Sequence, residues 1–143
     1  MKIRLILFGR TRRAEVRTLM DDYVARIGHY ADVETTELRE TSDAALRKLK
    51  IPPGATTVLL DAEGKQFTSA QFAKWLGRLR DSGARDMFFL CGASEGFPEE
   101  MRRRAGQMIS LSPLTMPHEI ARVVLAEQIY RAFTILTGHP YPK

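Results

Sequence analysis

Cysteine is almost missing. Cys91 stands alone among 143 residues, so no intrachain disulfide can form, which fits a reducing, cytoplasmic setting. Histidine is scarce as well: His29, His118 and His139 are far apart, and one cysteine cannot complete a zinc-ligand spacing, so no metal site is expected. No apolar run approaches the length of a membrane span, and no membrane role is expected. The apolar centre of "MKIRLILFGRTRR", Leu5 to Phe8, is too short for the core of a secretory signal and meets arginines at once. Repeats, low-complexity runs and Pro/Gly/Ser-rich linkers are missing, so a single domain over residues 1–143 is expected. Phosphate-cradling glycine motifs are missing too. "FGRTRR" lacks the dinucleotide fingerprint, and neither a P-loop nor a nucleophile elbow occurs.

What the chain does have is a globular mixture, 44% hydrophobic and 27% charged, with a formal net charge of +5. That excess of cations favours an anionic partner, nucleic acid among the candidates.

Strand and helix patterns alternate along the chain. Lys2 to Phe8 is a dense apolar run ended by Gly9. From Arg12 a helical stripe follows through Val16, Leu19, Met20, Tyr23, Val24 and Ile27. Val33 to Leu38 reads as a weaker strand, and Thr41 or Ser42 can cap a short helix that stops before "PPG". Thr56 to Gly64 is a third strand with a polar turn. Phe72, Trp75, Leu76 and Leu79 then mark a helix capped by Thr68 or Ser69, with Gly77 inside it. Asp86 to Gly96 is a fourth strand and its turn. "FPEEMRRRAG" is a helix with acids first and arginines last, with Gly106 as its stop. Met108 to Leu111 is a fifth strand, and a long helix runs from about Glu119 to Thr137.

This alternation predicts an α/β fold with a mostly parallel sheet flanked by helices. Such sheets bind ligands outside the carboxyl ends of their strands, so the loops at Leu60-Asp61, Gly92 to Gly96 and Leu111 to Met116 can converge on one site. The last of these loops, "LSPLTMPHEIAR", is apolar yet can be neither central strand nor helix, because Pro113 and Pro117 remove backbone donors. The long final helix is apolar around most of its circumference, apart from a narrow strip of Glu127, Arg131 and Thr134. That excess predicts a second burial surface, most simply a homodimer interface.

Several features carry two readings. "GASEG" is either a plain turn or a loop whose backbone approaches a ligand. Arg10, Arg12, Arg13 and Arg17 are either a phosphate-contacting patch or a solvated face, and Arg102 to Arg104 share that ambiguity. Cys91 lies in an apolar strand and reads as core. His118 either makes a local hydrogen bond at the helix start or works in a site. The stiff "HPYP" tail, with His139 and Tyr141, either docks for function or simply packs.

Taken together, "VLLDAEGK" (58–65), "FLCGASEG" (89–96), "SLSPLTMPHEIARVVLAEQIYRAF" (110–133) and "HPY" (139–141) resemble the bacterial large-subunit ribosomal RNA methyltransferase H family, of the SPOUT or α/β-knot class. The resemblance runs over essentially the whole chain, in pattern only for the first fifty residues. It implies a deep C-terminal trefoil knot and a homodimer whose site is completed by the partner's chain. It implies transfer of a methyl group from S-adenosyl-L-methionine to N3 of a pseudouridine in helix 69 of 23S rRNA, presented by the 70S ribosome. The implied cofactor contacts are Leu60, Gly92, Leu111, Ser112, Pro113, Leu114, Thr115 and Met116. The resemblance implies His118, His139 and Tyr141 for the substrate side; His118 or His139 is expected to handle the proton, Tyr141 to position the base, and Arg122 or Lys143 to supply nearby charge. The RNA-facing set is then Arg10, Arg12, Arg13, Arg122 and Lys143. The chain departs from the family's usual "HPYHR" ending, with Pro142 and Lys143 in the last two places, and it reads "GASEG" where "GGPEG" or "GGADG" is commoner. Two alternatives stand beside this reading: a non-catalytic RNA-binding relative, and a methyltransferase of another RNA.

Overall fold

The computed structural model describes residues 1–141. Five strands alternate with five helices: β1 (Lys2–Phe8), α1 (Ala14–Ile27), β2 (Asp32–Leu38), α2 (Asp43–Lys48), β3 (Thr56–Gln66), α3 (Ser69–Asp81), β4 (Asp86–Cys91), α4 (Glu99–Arg104), β5 (Gln107–Ser110) and α5 (His118–Thr137). The strands form one sheet in the order β2-β1-β4-β3-β5, and every neighbouring pair is parallel. Parallel pairing puts all five carboxyl ends on one edge. It also makes the loops after β4, β3 and β5 neighbours, although they are far apart in sequence.

Both faces of the sheet are covered, which explains the nearly unbroken apolar runs of β1 and β4. Ile3, Leu5, Leu7, Met87 and Phe89 pack with residues of α1, α3 and α5, including Val16, Leu76 and Phe133. The alternate residues Ile6, Phe8, Phe88 and Leu90 pack with Ala45 of α2 and Met101 of α4. Each such side chain fully withdrawn from water contributes roughly 1.5–3 kcal/mol.

Local chemistry settles the element ends. Ser42 caps α2 by accepting the Ala45 N–H, and Thr68 forms a capping box with Gln71 at the start of α3. The helical pattern beginning at Arg12 does not become helix until Ala14. Arg13 is held extended, and the backbone N–H groups of Arg12 and Arg13 donate to Glu119 Oε1 at 3.2 and 3.1 Å. Gly106 does not cap α4: the helix ends at Arg104 and the chain leaves through an extended Ala105. Gly77, an apparent weakness within α3, lets that helix approach α5. A Cβ there would lie 2.7 Å from Leu136 Cδ2.

The third strand runs past its expected end. Its pairing with β5 shifts register between Leu60 and Lys65, so Asp61 to Gly64 bulge outward before Lys65 rejoins opposite Ile109. α5 packs along both α1 and α3. Its less buried side carries Ile120, Val124, Glu127, Gln128, Arg131 and Ile135. Thr134 is not part of that strip: it is buried, its hydroxyl donating to Arg131 O. No helix among the described residues is long and apolar enough to cross a membrane.

Candidate active site

The strand-end edge holds a cleft of about 880 Å³. Three segments wall it: the β3 bulge (Leu60 to Glu63), the turn after β4 (Gly92 to Phe97) and the loop from Ser110 through His118 into α5. The residues expected to meet one ligand are thus brought together. Leu60, Gly92, Leu111, Ser112, Leu114, Thr115 and Met116 all line this cleft. Pro113 does not; it is exposed, and its part is to deny the loop a ladder donor.

The loop is held by its serines. Ser110 Oγ donates to Ser112 O at 3.1 Å, and Ser112 Oγ accepts the Leu114 N–H at 2.9 Å. These bonds project Leu114 to 77% exposure, the most exposed large apolar residue described. An apolar side chain so presented on a cleft wall is matched to an apolar ligand face. Opposite it, "GASEG" closes through an Ala93–Gly96 bridge, with Gly96 at φ +76°. Gly92 is tightly packed: a Cβ there would sit 3.2 Å from Phe97 Cε2 and 3.4 Å from the backbone of Gly96. The rim is acidic, with Asp61, Glu63 and Glu95. Arg102 crosses it, its Nε 3.0 Å from Asp61 Oδ2 and its other nitrogens on Glu63 and Glu99. Sequence reasoning assigned Arg102 only to dipole compensation or to a basic patch; its role as the tie of the β3 bulge depends on a fold-level juxtaposition.

His118 lines the same cleft at the first position of α5, with Pro117 in the N-cap place and no side-chain cap bond there. The local-cap reading is therefore not what the structure shows. His139 and Tyr141 lie at the other end of this 20-residue helix, roughly 30 Å away at about 1.5 Å per residue. One copy of the chain cannot gather all three. Tyr141 is docked rather than frayed. Its hydroxyl donates to Glu127 Oε2 at 2.9 Å, its ring meets Tyr130 edge-on at 4.7 Å, and Arg131 lies over it at 4.7 Å. Burial, then hydrogen bonds with Tyr23 and Glu127, raise its hydroxyl well above the ordinary range, so it keeps its proton and acts as a donor. Lys143, with Pro142, lies outside the described residues.

Arg122 is a correction. Expected to offer charge to RNA, it is completely buried. Its Nη1 donates to Thr11 Oγ1, and its Nη2 donates to Phe8 O and Gly9 O, all at 2.8 Å. Burial lowers its pKa, against the opposing pull of Cys91, Glu37 and Glu119. Its charge is spent on the β1–α1 loop. Thr11 N–H also donates to Glu37 Oε2 at 2.7 Å, so that loop is fixed from three sides. Arg10, Arg12 and Arg13 project from this rigid backbone as exposed residues.

Glu119 is the second buried ion of that network. Burial alone would raise its carboxyl, but the Arg13 and Arg12 N–H groups, with His118 and Arg122 nearby, hold it below the usual range. A lowered pKa stabilises the fold above the ordinary glutamate range, and that contribution is lost as the pH falls through the folded value. Glu119→Gln is therefore expected to cost about 1 kcal/mol near neutrality, with the gap to wild type closing in acid. Urea melts of both proteins across pH check this; a gap that widens in acid contradicts it.

Cys91 borders the cleft but is buried, and burial pushes its thiol up to about 12. Iodoacetamide at neutral pH is expected to leave the folded protein unmodified and to label it fully in denaturant, read by intact mass. Among the described residues no group of three or more His, Cys, Asp and Glu side chains is placed to hold a metal ion.

The chain is similar to known proteins over nearly its whole length. The family model described as "Predicted SPOUT methyltransferase" matches residues 1–142. A protein of Koribacter versatilis named ribosomal RNA large subunit methyltransferase H is 44% identical over 144 residues, covering 99% of this chain and 97% of that one. A protein of the same name from Pelobacter propionicus is 40% identical over 151 residues, covering 99% of each. Among solved structures, a probable methylase family protein from Haemophilus influenzae aligns with a TM-score of 0.56 at 10% identity, covering 99% of this chain and 72% of that one. A structure titled for 2-OH methylation of C/U34 on tRNA aligns at 0.51 and 19% identity, covering 96% of this chain and 97% of that one. At such identities the structures speak for the fold alone.

Proposed function

The chain belongs to the SPOUT methyltransferase family, and from that premise we propose that it is an S-adenosyl-L-methionine-dependent methyltransferase of large-subunit ribosomal RNA. The substrate we assign is N3 of a pseudouridine in helix 69 of 23S rRNA, presented by the assembled 70S ribosome. The whole chain serves as one domain whose C-terminal segment is threaded as a trefoil knot. It works in the cytoplasm.

The observation that carries the proposal is the cleft itself. Its wall offers Leu60, Leu111, Leu114 and Met116 as an apolar slot for an adenine, together with backbone groups that Pro113 and Pro117 keep out of regular structure. Gly92 lets the turn after β4 close against Phe97 and so shapes the far side. The acidic rim of Asp61, Glu63 and Glu95 suits a ligand that carries positive charge. When bound, S-adenosyl-L-methionine supplies a methyl group already activated by its sulfonium. The residues of this chain then have to align the target nitrogen and share the charge it develops as its proton leaves. His118, on the cleft, handles that proton. His139 and Tyr141 act from a second copy, because the length of α5 separates them from the cleft of their own chain. The apolar residues Ile120, Val124 and Ile135 on the less buried side of α5 suit a homodimer interface that would bring the two ends together. Arg10, Arg12 and Arg13 contact phosphates from their fixed loop, and Lys143 belongs to the same RNA-facing set.

Calorimetry with S-adenosyl-L-methionine, followed by transfer of a labelled methyl group to 70S ribosomes, tests this. Leu114→Ala is expected to weaken cofactor binding about tenfold with little change in stability, since the side chain is mostly in solvent. Cofactor binding with no transfer to ribosomes would favour the non-catalytic alternative, and transfer to tRNA alone would favour the other enzyme reading.

A further inference from the structure

The other end of the α1/α5 pair holds a second concavity, of about 460 Å³, lined by Arg26, His29, Tyr30, Tyr130 and His139. We infer that this pocket binds an unpaired ribonucleotide of the RNA substrate, its base against Tyr30 over a floor formed by the buried Tyr130, and its phosphate on Arg26 and His29. The inference rests on the reading of the protein as an RNA methyltransferase, and it adds a nucleotide contact beside His139, at the end of α5 away from its own chain's cleft.

The pocket is built by the parallel packing of two helices. Glu119 ties the start of α5 to the start of α1. At the opposite ends Tyr30 stacks on Phe133, with ring centroids 5.6 Å apart and planes 2° from parallel. Both helix ends are fixed. The His29 N–H donates to Arg26 O at 3.2 Å. Gly138 takes a left-handed conformation at φ +72°, and the His139 N–H returns to Thr134 O at 3.0 Å. The two imidazoles are therefore carried on constrained backbone rather than on a loose tail.

The chemistry of the lining selects the ligand. It is aromatic, imidazole and guanidinium, with no carboxylate among the lining residues, which disfavours a basic peptide. Arg26 lies 5.5 Å from the Tyr130 ring and 5.7 Å from the Tyr23 ring, and Asp22 accepts a hydrogen bond only from its Nε. A guanidinium so placed beside aromatic rings can meet a phosphate while the rings meet a base. Base–aromatic stacking of this kind contributes roughly 1–3 kcal/mol per base, and every base has a face to offer. The volume lies within the range of about 300–1,000 Å³ usual for small-ligand sites.

The test is the KM for 70S ribosomes in the methyl-transfer assay, with S-adenosyl-L-methionine affinity measured in parallel. Arg26→Ala with His29→Ala removes two exposed side chains and is expected to raise the ribosome KM about tenfold while cofactor affinity stays at the wild-type value. Arg47→Ala with Lys48→Ala, on α2 at the opposite face of the sheet, removes two positive charges elsewhere and is expected to move KM by less than about twofold. An equal KM for the two double variants overturns the inference alone. Wild-type protein that transfers no methyl group to ribosomes overturns the methyltransferase reading, and this inference with it. Tyr30→Phe, which keeps the stack on Phe133, is expected to keep a KM near wild type; a Tyr30→Phe defect as large as that of the double variant would contradict the stacking role.

Discussion

Gly64→Ala is expected to unfold the edge of the cleft. A Cβ at this position would lie 2.6 Å from Ile109 N, 2.6 Å from Met108 C and 2.7 Å from Ile109 C. These are backbone atoms of β5, so no side-chain rotation relieves the overlap. Either β3 or β5 must move. The bulge from Asp61 to Gly64 is where the chain leaves and rejoins β5, and it carries one wall of the cleft. Insertion of even one methyl group into such a contact costs about 1–3 kcal/mol, and the absence of a yielding neighbour puts this case at the upper end. Thermal melts are expected to fall by roughly 5–10 °C. Cofactor affinity, read by calorimetry, is expected to fall more than tenfold, because the wall and the β3–β5 pairing shift together. A variant with wild-type melting and wild-type affinity would show that β3 and β5 do not approach as described.

Arg122→Met is expected to be comparably damaging, and the opposing effects can be weighed. Replacing a buried ion by an apolar side chain of similar volume is sometimes neutral, since the ion no longer has to be stripped of water. Arg122 bears that penalty without a hydrogen-bonded carboxylate; its acceptors are Thr11 Oγ1 and the carbonyls of Phe8 and Gly9. Methionine leaves those acceptors without their donor, and each polar group so orphaned costs about 1–3 kcal/mol. Two carbonyls and a hydroxyl outweigh the recovered desolvation, for a net loss of roughly 2–4 kcal/mol in urea melts. Methyl transfer is expected to fall further than the unfolded fraction explains, because the loop bearing Arg10, Arg12 and Arg13 is released. A stability loss under about 0.5 kcal/mol would show that the loop is held by Glu37 and Glu119 without help.

The alternation of elements was legible in the sequence because the central strands β1 and β4 are buried along nearly their whole length and α1 and α3 each show an apolar stripe. Hence the parallel sheet followed from pattern alone, and with it the meeting of the loops after β3, β4 and β5. The prolines of the Leu111 to Arg122 stretch were legible for the same reason: they forbid both regular alternatives. Arg122 was misplaced although a signal existed. It falls in register with Ala126, Ile129 and Phe133, all fully buried on the inner side of α5, and that spacing outweighs its charge. The start of α1 was set by Glu119, more than a hundred residues away, so no local pattern could reveal it. Gly64 looked like a turn glycine; only the approach of β5 shows what excludes a side chain. The pocket at Arg26 and His29 was invisible because these residues face Tyr130 and His139 across two helices.

In the proposed mechanism the cleft and the far end of α5 from a second copy act as a single site. Mixed dimers test it directly. Co-expressed, differently tagged chains carrying Leu114→Asp, aimed at the cofactor wall, and His139→Ala, aimed at the far end, are purified as the heterodimer and assayed for methyl transfer to 70S ribosomes. Each homodimeric variant is expected to be nearly inactive. The heterodimer is expected to recover about half of wild-type transfer, since one of its two composite sites has both an intact cleft and an intact His139. No recovery in the heterodimer would contradict a site shared between copies.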